Sequence, residues 1–392
     1  MALGRGFGRD ELARSANRSG SWRWGWLGVL ALSGLALALA ACAAPQKAEA
    51  PEEPIEFVWP MPPDKPRIKF IRSLSTERDV GIVKETSFAD ILLGKEDEDE
   101  RIRHLEKPYG VHADREGRVF VGDTGIGKLV VFDIANKKYS VWGEAGNGAL
   151  AKPGGITSDS QGRIYVTDAA QKRIVIFDRD GRFLSAIGQK GELDRPVGIA
   201  VNEALGRVYV VDTAKHQVAM YDIDGPLIST FGERGNEPGQ FNYPTNLAMD
   251  RDGKLYVVDS MNFRVQVLDP DGNYVKSFGQ IGDNPGQLAR PKGIAVDSQG
   301  HVYVVDAAFN NFQIFNQEGK LMLFVGRLGF RPGEFWLPAG AYIDGQDRLY
   351  VADQYNLRVQ VFQFLGGDDE QEDAGTESEP GTAETAEEDQ GG

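Results

Sequence analysis

The chain is poor in the residues that carry most catalytic and metal chemistry. Of its 392 residues one is Cys (Cys42) and four are His (His104, His112, His216, His301). A single Cys excludes an intramolecular disulfide and any cysteine-rich zinc site. There is no G-x-S-x-G elbow, no phosphate-cradling glycine loop and no cysteine nucleophile in a recognisable setting. No helical period of useful length separates the apolar runs, which sets aside the parallel-sheet α/β architectures. Excess positive charge is absent too: 43 Lys and Arg face 58 Asp and Glu, a formal net charge of −15. That balance argues against nucleic acid as a partner.

What the chain has in quantity is a repeat. The stretch from Tyr243 to Gly279 holds four short runs rich in β-branched and aromatic residues, NLAMD, KLYVVD, RVQVLD and NYVKSFG. Asp252-Gly253 and Asp271-Gly272 separate the first from the second and the third from the fourth. Asp-Gly pairs between such runs read as tight two-residue hairpin turns, so the unit is a four-stranded antiparallel meander. A Pro opens each copy, at Pro108, Pro153, Pro196, Pro244, Pro291 and Pro338, at spacings of 43 to 48 residues. An Asp ends the second run of each, at Asp123, Asp168, Asp212, Asp259, Asp306 and Asp353. Six four-stranded units of this length predict an all-β, six-bladed β-propeller over residues 105–365. The sixth copy stops after its third run, whereas Arg67-Ile68-Lys69-Phe70-Ile71-Arg72-Ser73-Leu74 is a fourth-run segment stranded ahead of the first copy. Residues 66–75 are therefore expected to close the last blade and remove a free sheet edge.

The repeat resembles the NHL family. Its pattern appears as Pro291-Lys292-Gly293-Ile294-Ala295-Val296-Asp297, as Leu349-Tyr350-Val351-Ala352-Asp353, and as Asn356-Leu357-Arg358-Val359-Gln360-Val361-Phe362. Copy one departs furthest, with Gly125-Ile126-Gly127-Lys128 in place of Asn-x-Arg, and copies three and five place Gln217 and Asn311 at the Arg position. The resemblance implies a six-bladed propeller that usually binds other macromolecules and only in some relatives is an enzyme.

The flanks read differently. Residues 1–41 combine five Arg with an apolar stretch from Leu27 to Ala41, too short for the roughly 30 Å of a bilayer core, and fit a secretory signal. Leu39-Ala40-Ala41-Cys42 resembles the lipobox of bacterial lipoproteins. That resemblance implies cleavage before Cys42, with diacylglycerol on its sulfur and an acyl chain on the new amine, enough for stable membrane anchoring. Ala43 replaces the retention Asp known in some bacteria, which points to the outer membrane; its periplasmic side is the expected location, with the inner membrane and the cell surface as alternatives. Residues 42–65 are a Pro/Ala/Glu-rich tether, of which Phe57-Val58-Trp59-Pro60-Met61-Pro62-Pro63 is apolar enough to lie on the propeller wall. Residues 76–104 form a connecting insertion with a short helix from Ser87 to Gly94. Residues 366–392 carry 11 acidic and no basic residues and are expected to be a disordered, solubilising tail.

Strand parity places the blade-to-blade loops (144–152, 189–195, 233–243, 280–290 and 327–337) on one face with the loops between second and third strands. Binding is expected there. Residues just past the repeat Pro should ring the channel mouth, and Tyr109, Asn246, Lys292 and Trp336 are the binding candidates. Trp142, Phe241, Tyr243, Phe330 and Phe335 lie in or beside the same loops, with Phe241 and Phe335 assigned to packing between blades. The six repeated Asp are read as structural, accepting turn N–H groups or pairing with Arg173, Arg264 and Arg358. Asp114, Asp159, Asp250, Asp297 and Asp344 recur at a turn position and are read likewise. Neither a catalytic set nor a metal set is assigned; His112 alone reaches the channel. The expected role is a membrane-anchored, monomeric binding scaffold of the cell envelope, facing a protein or an envelope polymer, with no cofactor beyond the acylation of Cys42. The alternatives are a lyase or lactonase-like hydrolase with a metal at the channel mouth, and a sensor of a small ligand or sugar.

Overall fold

A computed structural model of the protein describes residues 56–82 and 103–366. The signal, Cys42, most of the tether, the helix expected at 87–94 and the acidic tail lie outside the described residues. The rest is a six-bladed β-propeller. Its six inner strands are Pro108–Ala113, Pro153–Ser158, Pro196–Asn202, Pro244–Met249, Pro291–Val296 and Pro338–Ile343, and each begins at a repeat Pro. Five sheets have four antiparallel strands in chain order from inside to outside. Neighbouring inner strands touch all the way round, including the first against the sixth.

The sequence pattern accounts for the burial gradient. Second strands such as Leu255–Asp259 and Val302–Asp306 are buried at every residue, because both faces of the blade are covered by its neighbours. Outer strands such as Leu227–Phe231 are largely exposed. There is no single central core. Six apolar clusters each fill one seam between adjacent blades; Val119 and Val121 of blade one meet Tyr350 and Val359 of blade six, whereas Phe120, on the other face, meets Ile156 and Val166 of blade two. Alternation along one strand thus feeds two seams.

Blade six is completed by β2 (Ile68–Leu74), which pairs antiparallel with Arg358–Phe364 from Ile68↔Phe364 to Leu74↔Val359. A two-residue strand, β1 (Val58–Trp59), adds a fifth outer strand that the repeat pattern does not announce. It docks through Trp59, whose ring lies 5.9 Å from that of Phe362. A Cβ on Gly333 would fall 2.1 Å from the Trp59 ring, so this seat needs the glycine. The apolar segment 57–63 therefore begins with a strand rather than simply lying along the wall.

The hairpin turns are longer than two residues. Gly253 N–H donates to Asp250 O (3.1 Å) and Asp250 N–H to Lys254 O (3.1 Å), enclosing residues 251–253 with Gly253 in the left-handed region. The reason is the Asp250 carboxylate, whose Oδ1 accepts from the N–H groups of Asp252 and Lys254 and holds a wider turn open.

Inner strands approach one another most closely at the third residue of each Pro-x-Gly. A Cβ on Gly110 would lie 1.9 Å from Gly154 O, and one on Gly293 would lie 2.3 Å from Ala339 O. Blade four departs from this rule with Asn246.

Closure can be tested through one residue. Leu74 is fully buried in the seam between blades six and one. Leu74→Ala should lower the unfolding free energy by roughly 2–5 kcal/mol. Leu184→Ala, on an exposed outer strand, should change it by no more than about 0.5 kcal/mol. Equal urea midpoints for the two variants would show that the N-terminal strand is dispensable.

Candidate functional site

The loop face is built on the six Asp that end the second strands, all fully buried. Each carboxylate reaches back to the loop arriving from the preceding blade. Asp123 accepts from Glu106 N (2.6 Å) and Lys107 N (2.9 Å), and Asp212 from Asp194 N (2.7 Å) and Arg195 N (2.9 Å). It also accepts from its own following turn, as Asp123 does from Gly125 N (2.8 Å). Asp259 and Asp353 take Arg264 Nε (2.9 Å) and Arg358 Nε (2.8 Å) in addition. Arg173 does not pair this way. Gln171 occupies Asp168 Oδ2 (3.0 Å), and Arg173 turns to the carbonyls of Asn147 (3.0 Å) and Ala149 (3.2 Å).

In blades four to six a second device stiffens the face. Buried Gln266, Gln313 and Gln360, the Gln of the R-V-Q-V runs and of its counterpart in copy five, each grip the incoming loop at two points. Gln360 Oε1 accepts from Gly333 N (2.9 Å), and its Nε2 donates to Glu334 O (2.7 Å). The same loops fold back on themselves, Phe335 N donating to Arg327 O (2.9 Å). Phe241 and Phe335 are fully buried in the seams.

The four candidates fall into two groups. Tyr109, Asn246 and Lys292 are half-buried near the channel axis, one or two residues past the repeat Pro. Burial raises the Tyr109 hydroxyl above its ordinary pKa, against the opposing pull of Arg290 and Arg195. Burial, then the charges of Arg290 and Lys107, lowers the Lys292 ammonium to about 8. Val197 and Ala339, at the same ring position, are buried in the walls. Asn246 Oδ1 accepts from Leu247 N (2.9 Å).

Trp336 stands apart from the axis. It is 49% exposed, and its ring lies 5.5 Å from that of Tyr355, which is 47% exposed. Lys107 Nζ sits 5.9 Å from the centre of the Tyr355 ring, and Phe330, at 78% exposed, and Leu328 lie in the same loop as Trp336. Trp142, in contrast, belongs to the wall: its ring packs 5.4 Å from Phe120 and 6.0 Å from Phe177. Tyr355 and the basic residues preceding four of the six repeat Pro were not singled out from the sequence. Their signal was there in Lys107-Pro108, Lys152-Pro153, Arg195-Pro196 and Arg290-Pro291, read one residue upstream of the repeat.

Below the mouth, the inner strands enclose a cavity of about 160 Å3 lined by uncharged groups, aliphatic side chains such as Ile156, Ile199 and Ile294 alternating with Thr157, Asn246 and glycine backbone. Of the His residues, His112 is buried beside this channel. Its Nε2 lies 2.8 Å from Ser158 Oγ, its ring 4.3 Å from that of Tyr342, and its Nδ1 has no partner among the described residues. His216 accepts from Tyr243 N (3.1 Å) in a second-to-third-strand loop, and His301 sits against Asp297 (2.8 Å) at a turn on the opposite edge. Among the described residues no group of three or more His, Cys, Asp or Glu is arranged to hold a metal ion.

Burial depresses the His112 pKa to about 3. The unfolded chain takes up a proton near pH 6.5 that the folded chain refuses until about pH 3, so this residue removes stability as pH falls through that window. His112→Gln should unfold less steeply in acid. Its stability relative to wild type should rise progressively from pH 6.5 to the lowest pH at which both fold, as read by urea titrations at each pH. A pH-independent difference would mean that His112 is charged or exposed in the folded state.

The NHL repeat family matches residues 241–268, 288–315 and 335–362, the three blades that carry the buried Gln. A family described as a 6-bladed beta-propeller, of otherwise undefined function, matches residues 155–231. No curated protein matches the chain. Similar solved structures include a streptogramin B lyase, 14% identical with a TM-score of 0.51, aligned over 66% of this chain and 94% of that one. A gluconolactonase from Xanthomonas campestris is 17% identical with a TM-score of 0.52, over 66% and 86% of the two chains. A protein of unknown function from Bacteroides thetaiotaomicron is 16% identical with a TM-score of 0.54, over 66% and 70%. Identities this low carry the architecture and not the activity. Repeat, Asp clamp and closed ring together make the chain a six-bladed β-propeller built on NHL repeats.

Proposed function

We propose that the protein is a membrane-anchored binding platform of the cell envelope whose loop face engages a protein partner. The observation that carries this reading is the exposed, paired rings of Trp336 and Tyr355, with Phe330 exposed in the same loop as Trp336, held on braced loops of this face. Large aromatic side chains left exposed on a rigid frame are the usual anchors of protein interfaces. The frame keeps them in place before binding, which limits the ordering cost of association. Acylation of Cys42 would hold this face at a membrane, with the periplasmic side of the outer membrane as the proposed location. A small-ligand sensor is the second reading, favoured by the uncharged cavity in the channel.

Cross-linking in intact envelopes tests the platform. Wild type should capture one protein species in stoichiometric yield, and Phe330→Ala/Trp336→Ala/Tyr355→Ala should lose at least roughly tenfold of it while melting normally, since anchors of this kind each contribute on the order of 2 kcal/mol. Capture unchanged by the triple substitution would move the interface elsewhere. Recovery of a polysaccharide or peptidoglycan fragment in place of a protein would replace the partner class.

The anchor has its own test. Cys42→Ala should move the protein from the membrane to the soluble fraction and abolish incorporation of labelled fatty acid. Persistent labelling and sedimentation would exclude Cys42 as the site.

A further inference from the structure

Five cations stand around the channel mouth. Lys107, Lys152, Arg195 and Arg290 occupy the position before the repeat Pro in blades one, two, three and five, and all four are exposed. Lys292 follows one step inside Pro291. In each of the four, the main-chain N–H is held by the buried Asp of its own blade: Lys107 by Asp123 (2.9 Å), Lys152 by Asp168 (3.2 Å), Arg195 by Asp212 (2.9 Å) and Arg290 by Asp306 (3.1 Å). The carbonyls of the same residues accept from Thr124, Ala169, Thr213 and Ala307, each at 3.0 Å. The side chains therefore project from points fixed by the repeat frame.

These charges converge. The fields of Arg290 and Lys107 both act on Lys292, and those of Arg290 and Arg195 both act on Tyr109, although the residues come from different blades. Lys107, Arg195 and Arg290 stand on alternate blades, so in a six-membered ring they are set roughly 120° apart about the axis. Among the described residues no carboxylate forms an ion pair with any of the five. Asp194, the acid next to Arg195, is committed to Lys172. The five are thus cations without a paired carboxylate, although the charge of Arg195 still acts on Asp194 and Lys107 lies over the Tyr355 ring.

We propose that this mouth binds a compact multivalent anion, a di- or trianion bearing phosphate or carboxylate groups, seated on the axis between Lys107, Arg195 and Arg290. The proposal rests on the loop face being the working face, and it names the chemistry of that face's ligand or of the group its partner inserts. Guanidinium groups bind such oxyanions through paired, charge-assisted hydrogen bonds. Tyr109 adds a hydroxyl donor, and Lys292 adds a cation disfavoured by burial and then by the charges of Arg290 and Lys107, both of which a bound anion offsets. The cavity below is lined by no charged side chain that would draw the anion further in. A long polyanion such as RNA would extend well beyond this ring of cations, so a compact ion fits better.

Calorimetry on the purified full-length chain tests this without any partner, so it can fail while the partner capture succeeds, or succeed while that fails. Inorganic tripolyphosphate and citrate are the probes, with acetate as a monoanion control. At least one of the two multivalent ions should bind at a single saturable site, weakened by added salt, and the one that binds tells phosphate from carboxylate preference. Lys107→Gln/Arg195→Gln/Arg290→Gln should lose roughly tenfold or more in affinity. Arg251→Gln/Lys320→Gln, on the opposite, short-turn edge, should stay within about twofold, because charges beyond a Debye length are screened. Melting curves of both variants should match wild type, and Lys292→Met, which leaves the three exposed cations in place, gives a second reading if the triple variant is unstable: it should weaken binding and no more. Absence of saturable binding for both ions, or equal losses in the two multiple variants, would overturn the site in favour of diffuse attraction.

Discussion

The structure depends on a buried carboxylate repeated six times. A fully buried Asp is costly unless its charge is met by donors, and here each is met from two directions. In blades one, two, three and five main-chain N–H groups do so on both sides; at Asp259 and Asp353 one main-chain N–H is joined by Asn and Arg side chains. One set comes from the loop arriving from the preceding blade, the other from the turn that follows the Asp itself. The result joins the end of a second strand to the first residue of its own inner strand and to the seam behind it. At Asp353 burial pushes the carboxyl pKa up, while Trp336 N–H, Asn356 and Arg358 pull it down. Truncating any of these Asp would orphan several N–H groups at once, which is why the position recurs while the residues around it vary.

That clamp separates what is shared among the blades from what is free to differ. The shared part is the Pro, the glycine at the close approach and the Asp; the free part is the side chain held at the clamp's outer end. Lys107, Lys152, Arg195 and Arg290 all use it with an ordinary backbone. Tyr243 and Leu337 adopt left-handed φ values near 50° and give their N–H groups instead to His216 (3.1 Å) and Asn310 (2.8 Å) of the preceding blade. One backbone frame therefore presents cations in four blades and an aromatic or aliphatic side chain in two.

This division also explains what the sequence made legible. Fold, blade number and ring closure follow from periodic features, because each copy must bury the same faces against its neighbours. The N-terminal strand was readable because the sixth copy lacks its fourth run, while the two-residue strand at Val58–Trp59 was not, since it depends on a single ring fitting over Gly333. The turn length was misread because an Asp-Gly pair says nothing of the Asp two positions earlier, whose side chain sets the loop. Arg173 was misassigned because its guanidinium goes to the carbonyls of Asn147 and Ala149 while Gln171 alone of the two reaches the carboxylate, an exchange the repeat pattern does not announce. Of the candidate site, Tyr109, Asn246 and Lys292 were found by position in the repeat. The cation ring was missed because it sits one residue before the pattern begins, and the pairing of Trp336 with Tyr355 because it joins loops that are 19 residues apart in the chain.

A channel through a propeller need not be a passage. Here the glycines at the close approach draw the inner strands together, and Asn246 is the one side chain placed where the other blades have none. Beneath that level the walls carry no charged side chain, and above it they are cationic. An ion moving down the channel loses hydration without meeting an opposite charge that would replace it. At the mouth it keeps part of its hydration and gains fixed positive charge. The favourable position for an anion is thus the rim, at the level of the loops and on the face that carries the exposed aromatic rings. Charge and apolar surface then act on the same face, the first speeding encounter and selecting the sign of the ligand, the second supplying contact area that persists once water is displaced.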